Sequence, residues 1–156
     1  MVAEDVTLVI SRCLRAPRAA VWQAWADPEQ LKLWWCPKPW TTEVLGFDLV
    51  PGGSFHTLMR GPDGGTSDNP GAFLDVVPLT RLAWTTSLLA GWRPAPEPWM
   101  PLTAFITFED EGQDTRYTAT VLHKDAAGRA QHEEMGFYEG WGTCIDQLEA
   151  LARHLS

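Results

Sequence analysis

Between Val6 and Cys13 apolar and polar side chains nearly alternate, with Val6, Leu8 and Ile10 set against Thr7 and Ser11 and Val9 out of step, the pattern of a half-buried strand. The period then lengthens. Pro17 suits the first turn of a helix, where its missing N–H costs nothing, and Val21, Ala24 and Trp25 form an apolar stripe behind it. Asp27-Pro28-Glu29-Gln30 supplies a second helix start, with an Asp cap, Pro at the first helical position and Gln at the capping-box position. From residue 42 the period of two returns. Residues 42–50, 54–60, 71–77, 81–88, 102–109 and 115–123 read as six further strands, broken at Gly52-Gly53, Pro62-Asp63-Gly64-Gly65, Pro78 and Asp110-Glu111-Gly112. In the tail, Tyr138, Trp141, Ile145, Leu148, Ala152 and Leu155 recur at three- and four-residue spacing, which predicts one long helix over residues 132–155 with a bulky apolar seam.

The order of strand, two short helices, six strands and long helix predicts an α+β fold in one domain over residues 1–156, an antiparallel sheet wrapped around the terminal helix. The seam must be buried, and in so short a chain the sheet is its only large partner. Gly140 beside Trp141 is expected to permit close approach of sheet or loop, since a mid-helix glycine costs roughly 1 kcal/mol relative to alanine. The helix–sheet junction is therefore the expected place for a cavity. One connection stands apart: residues 89–101 hold Pro94, Pro96, Pro98 and Pro101 with Trp92 and Trp99. Proline keeps this segment extended, so the tryptophans either pin it to the sheet or make it a lid over the cavity mouth.

A net charge of −8 opposes nucleic-acid binding, which needs clustered cations to displace counterions. The first residues carry no basic-then-apolar leader and no apolar run is long enough to insert in a membrane, so a cytoplasmic protein is expected. Cys13, Cys36 and Cys144 are odd in number and lack CxxC spacing, and neither a disulfide framework, a metal site nor a cofactor is indicated. The nine tryptophans are the anomaly. Tryptophan serves cores and pocket walls alike, and nine exceed what a core of this size needs.

The pattern Arg12…Ala16-Pro17…Val21-Trp22…Asp27-Pro28-Glu29…Leu31…Trp34-Trp35, followed by Pro51-Gly52-Gly53-Ser54-Phe55 and Gly140-Trp141…Leu148, resembles the START-like (SRPBCC, birch-pollen-allergen-like) superfamily. Within it the chain is similar to bacterial homologues of the activator of heat-shock-protein-90 ATPase. The resemblance spans nearly the whole chain. It implies a helix-grip fold, a curved seven-stranded antiparallel sheet around a long C-terminal helix with two short helices after strand one and a cavity between sheet and helix. The segments from Trp34 to Trp40 and from His132 to Phe137 resemble a narrower bacterial subgroup, similar both to chaperone activators and to antibiotic-binding resistance proteins. The superfamily embraces lipid carriers, polyketide cyclases and chaperone regulators, so the fold leaves function open.

Cys36, His123 and His132 are the only side chains from which a nucleophile or acid–base group is readily built, and nothing in their spacing joins them. Their alternative roles are a buried thiol and local hydrogen bonding at the strand–helix junction. The acid pairs Asp110-Glu111 and Glu133-Glu134 read as solvated surface. On the strands, the same-face sets Phe55, Thr57, Met59 and Thr103, Phe105, Thr107 mix apolar bulk with hydroxyls, which suits an apolar ligand with a few polar anchors. With Trp35, Phe73, Trp84, Trp92, Trp99, Tyr117, Met135, Tyr138 and Trp141 they form the candidate ligand-binding set. The leading function is non-catalytic binding of a small hydrophobic or aromatic molecule. The alternatives are a cyclase, aromatase or hydrolase using the cavity histidines, and a chaperone-regulating interaction module; a homodimer is compatible with each.

Overall fold

Residues 4–156 are described by a computed structural model; Met1, Val2 and Ala3, read above for leader character, lie outside the described residues. A single 3-10 turn, Glu4–Val6, leads into β1 (Thr7–Leu14), whose Leu8, Ile10 and Leu14 are buried. Helix α1 (Arg18–Ala26) follows Pro17 and buries Ala20, Val21, Ala24 and Trp25. The Asp27 carboxylate then accepts from the Glu29 N–H at 2.9 Å and caps the short α2 (Pro28–Leu31), with Pro28 in its first turn. Strands β2 (Thr41–Phe47), β3 (Phe55–Arg60), β4 (Thr66–Asn69), β5 (Ala72–Val77) and β6 (Arg81–Thr85) come next. A small hairpin, β7 (Leu88–Leu89) and β8 (Arg93–Pro94), precedes the long pair β9 (Leu102–Glu111) and β10 (Asp114–His123), and helices α3 (Ala126–Glu134) and α4 (Phe137–Leu155) end the chain.

Every strand pairing is antiparallel. The ladders run β1-β10-β9-β6-β5 in one sheet and β2-β3-β4 in another. The two are one layer. Ser54 bridges Ala72 and the Phe55 N–H donates to the Gly71 carbonyl at 3.0 Å, in the same register that pairs Thr57 with Asn69. β4 and β5 are thus two halves of one line along β3, interrupted at Pro70, which has no N–H to give a ladder. Counted so, the layer has seven strands. Register shifts at Val44/Gly46 and Phe73/Asp75 bend it, as bulges do. Helix α4 lays Phe137, Ile145, Leu148 and Ala152 into the same core as the inward sheet residues, which is the helix-grip arrangement.

The tail is two helices rather than the single one expected from residue 132. Asp125 caps α3 by accepting from the Gly128 N–H at 2.8 Å, so helix begins at Ala126, and the chain breaks at Gly136, whose φ of +96° is left-handed. Only glycine adopts that conformation without steric cost, and it re-aims the chain into α4. The break rotates the seam: Phe137 is buried where Tyr138 was expected, and Tyr138 is exposed. The expectation for Gly140 is also overturned, because a β-carbon there would meet no atom within 4 Å. Strand β4 and the β7–β8 hairpin lie where turn and lid were read. Thr66–Asn69 is wholly polar and carries no alternation to reveal it.

Aromatic rings fill the grip. Trp25, fully buried, meets Trp34, Trp35, Phe55 and Phe73 at centroid distances of 5.8, 5.2, 5.6 and 6.4 Å. Phe55 and Phe73 stack at 4.7 Å. Such pairs add about 0.5–1.5 kcal/mol each beyond area burial. Their polar edges are satisfied: the Trp25 Nε1–H donates to Tyr117 Oη and the Trp34 Nε1–H to the Ala24 carbonyl, both at 2.9 Å.

Candidate functional site

The packing of sheet against α4 leaves a cavity of about 160 Å³. Trp25, Trp34 and Trp35 come to it from the helical segment after β1, while Phe55, Thr57 and Met59 come from β3, where alternation turns every second side chain inward. Trp84, Ile106 and Tyr117 form the opposite sheet wall, and His132, Trp141, Cys144 and Ile145 the helical one. Asn69, Thr86, Trp99 and Met100 stand on the side of the proline-rich connection. No Asp, Glu, Lys or Arg is in the lining.

Of the residues expected at a ligand site, Trp35, Phe55, Met59, Trp84, Trp99, Tyr117 and Trp141 line this cavity. Phe73 is fully buried behind the wall, stacked on Phe55. Thr57 lines it as well, and the remaining six, Trp92, Thr103, Phe105, Thr107, Met135 and Tyr138, lie elsewhere, Thr103 and Thr107 on the outward face of β9 with Phe105. Phe105 is exposed because β9 turns Leu102, Ala104, Ile106 and Phe108 inward, the opposite parity to the set chosen from sequence. Met135 and Tyr138 flank the Gly136 break on its solvent side. Trp92 lies over Gly52, where a β-carbon would fall 2.5 Å from the indole nitrogen, so glycine is required beneath it. Sequence reasoning missed Cys144 and Ile145 as lining, although both sit one helical turn beyond Trp141 on the seam. Trp25, read as part of a helical apolar stripe, and Trp34, read only within the motifs of the resemblance, were also outside the candidate set.

The connection over residues 89–101 is fastened at both ends. The Gly91 N–H donates to the Gly52 carbonyl at 2.9 Å beside Trp92. The Trp99 Nε1–H donates to Asn69 Oδ1 at 2.9 Å, and the Thr86 hydroxyl holds the Met100 carbonyl at 2.7 Å. Both readings of this loop thus meet in one geometry: it is pinned, and its Trp99–Met100 end borders the cavity.

The three residues considered for catalysis divide. Cys36 is buried, accepts from the Thr42 hydroxyl at 2.9 Å, and is not part of this cavity's lining. Burial pushes its thiol up despite the hydroxyl's opposing effect, so it is no ready nucleophile. His123 and His132, by contrast, are brought together. His123 Nδ1 lies 2.9 Å from the Val6 carbonyl and its Nε2 2.8 Å from His132 Nδ1. Burial, then the neighbouring His123, lowers the His132 pKa to about 4, so the ring at the cavity wall is neutral near pH 7. Cys144 is pushed up to about 12 by burial and then by Cys36, and burial also raises Tyr117. Every titratable group facing the cavity is therefore uncharged. One polar atom is left over: Trp84 Nε1 is buried with no hydrogen-bond partner among the described residues. Among those residues no cluster of three His, Cys, Asp or Glu has the arrangement of a metal site, and no helix is long and apolar enough to cross a membrane.

Comparison with known proteins agrees with the fold. A protein of Nitrosomonas europaea superposes with a TM-score of 0.90 at 42% identity, over 98% of this chain and 97% of that one. One of Mycobacterium smegmatis gives 0.80 at 29% identity over 95% and 91%, and one of Arthrobacter aurescens shares the fold at 0.84 and 24% identity over 99% and 90%. No curated protein matches the chain. Residues 15–153 match the family described as activator of Hsp90 ATPase homolog 1-like protein, and the chain belongs to that START-like family.

Proposed function

We propose that the protein binds a small hydrophobic or aromatic molecule between its sheet and α4. The observation that carries this reading is the aromatic-walled cavity of about 160 Å³, free of charged side chains. An apolar void of about 150 Å³ is enough to take up benzene, whereas sites for drug-sized ligands run to roughly 300–1,000 Å³. The size supports a ligand of a single ring. Native mass spectrometry of freshly purified protein, joined to a melting series over monocyclic aromatics, short-chain lipids and larger polycyclic compounds, tests it. At a hundred times its dissociation constant a ligand stabilises by about 2.7 kcal/mol, which raises Tm by about 5–10 °C in a chain of this size. A flat melting series with no retained molecule would sink the reading.

The neutral His132 ring at the wall favours a second reading, acid–base catalysis on the bound molecule, with His123 as the group that orients it. Turnover that survives alanine at both histidines removes that mechanism. The family description supports a third, regulation of a chaperone ATPase, which a change in the host chaperone's ATPase rate on adding the chain would reveal.

A further inference from the structure

The two histidines have one arrangement of protons when neutral. A carbonyl only accepts, so His123 Nδ1 carries its proton toward Val6, which leaves His123 Nε2 as a lone pair. His132 Nδ1 must then donate to that lone pair, and His132 Nε2 is left as an acceptor without a hydrogen. No carboxylate pairs with either ring among the described residues to stabilise a charged alternative. The backbone at Val6 thereby sets the polarity of a ring some distance away in the cavity wall.

The opposite polarity comes from the sheet. Trp84 is 8% exposed, and its Nε1–H has no acceptor among the described residues. A buried donor left unsatisfied is destabilising, and a ligand oxygen that accepts from it removes that cost. Tyr117 Oη, already accepting from Trp25, retains its own proton as a further donor. Three residues of the lining thus carry neutral polar groups not spent within the described residues, an acceptor on His132 and donors on Trp84 and Tyr117.

From these features we infer that the ligand is an uncharged monocyclic aromatic alcohol of the phenol class, its hydroxyl proton received by His132 Nε2 and an oxygen accepting from Trp84 Nε1–H. A hydroxyl on a ring is the smallest group that supplies both a donor and an acceptor at this size. Carboxylates and ammonium groups are rejected because the lining offers no counter-charge and burying an unpaired ion is prohibitive. The inference rests on the binding function proposed above and specifies its ligand.

The test titrates phenol, benzene and benzoate into the full chain by calorimetry, then repeats it with His132→Phe and Trp84→Phe. Phenol is expected to bind about tenfold more tightly than benzene, the worth of roughly one to two neutral hydrogen bonds, and benzoate not at all. In either variant the phenol advantage should shrink to threefold or less while benzene binding persists. Equal affinity for phenol and benzene in the unaltered protein would overturn the assignment of ligand class and leave ring binding standing. An undiminished phenol preference in both folded variants would overturn the assignment to these residues. Failure of both phenol and benzene to bind the unaltered protein would overturn the single-ring ligand itself, a result distinct from equal binding of the two.

Discussion

Filling the cavity from the helix side separates a ligand site from an accidental void. Cys144 lies on its wall, and its thiol, held at about 12, is protonated at any working pH, so replacing it removes no charge. In Cys144→Leu two carbons are added beyond the position of the sulfur. Burying each methylene-sized group contributes about 0.8 kcal/mol, so the empty protein should gain about 1–1.5 kcal/mol, less the weak contact from the thiol to the Trp35 carbonyl at 3.5 Å. Per kcal/mol, Tm moves by about 2–4 °C at this chain length, and a rise of about 2–5 °C is expected. The same carbons shrink a void that is only just large enough for a benzene ring, so binding of phenol or benzene should fall at least tenfold. Differential scanning calorimetry and isothermal titration measure the two halves. A lower Tm would mean that the space is not available and that the side chain overpacks the core. Undiminished binding in a variant as stable as expected would mean that the ring sits elsewhere, and the assignment of the site would fail.

Four further outcomes follow from the geometry. Trp25→Phe loses the bond to Tyr117 Oη and ring area against four aromatic neighbours, and should cost about 2–4 kcal/mol by urea unfolding; a loss under 1 kcal/mol would show that the cluster repacks freely. Gly140→Ala should stabilise by about 0.5–1 kcal/mol, since the added carbon meets nothing and alanine is the better helix former, while Gly136→Ala should destabilise through its positive φ; opposite signs in the melting temperatures would refute both. Asn69→Leu removes the acceptor of Trp99 Nε1–H, and should quicken ligand exchange and open residues 89–101 to proteolysis; unchanged exchange and cleavage would show that this bond does not hold the loop. His132, lowered to about 4 from an unfolded value near 6.5, takes up its proton more readily in the unfolded chain, so its contribution is whole above pH 6.5 and is lost as pH falls toward 4. With part of the ring open to solvent, that loss is about 1–2 kcal/mol, to be read as the difference in urea midpoints between the natural chain and His132→Gln at pH 7 and 4.5; no change in that difference would contradict the lowered pKa.

Element types were largely legible because the period of apolar positions changes sharply, from two in β1 to helical at Val21 and back again after residue 41. What failed had local causes. Strand parity cannot be read where both faces carry bulk: in β9 the inward set is Leu102, Ala104, Ile106 and Phe108 and the outward set is Thr103, Phe105 and Thr107, so the Phe105 ring with its flanking hydroxyls pulled the reading outward. The tail seam was right from Trp141 onward and wrong before it, because Gly136 inserts a left-handed residue whose effect on phase no periodicity records. The pairing of His123 with His132 is a contact between the last strand and the helix that follows, and depends on where Asp125 starts that helix. Trp84's missing partner is a property of packing alone.

The tryptophan surplus changes meaning once the grip is assembled. Trp25, Trp34, Trp35 and Trp84 are packed ring on ring at 5.2–5.8 Å, and each fills space inside the helix-grip layer. They line the cavity and make it small in the same act. A sheet of seven strands closed on a 19-residue helix has room for a larger ligand only if its wall residues are small. Here they are indoles, and the remaining space of about 160 Å³ admits one ring. Selectivity for a small neutral aromatic, as proposed, would then need no dedicated recognition loop: the indole wall would exclude by size, the lining without charged side chains would exclude ions, and the His132 imidazole and Trp84 indole would orient the ring.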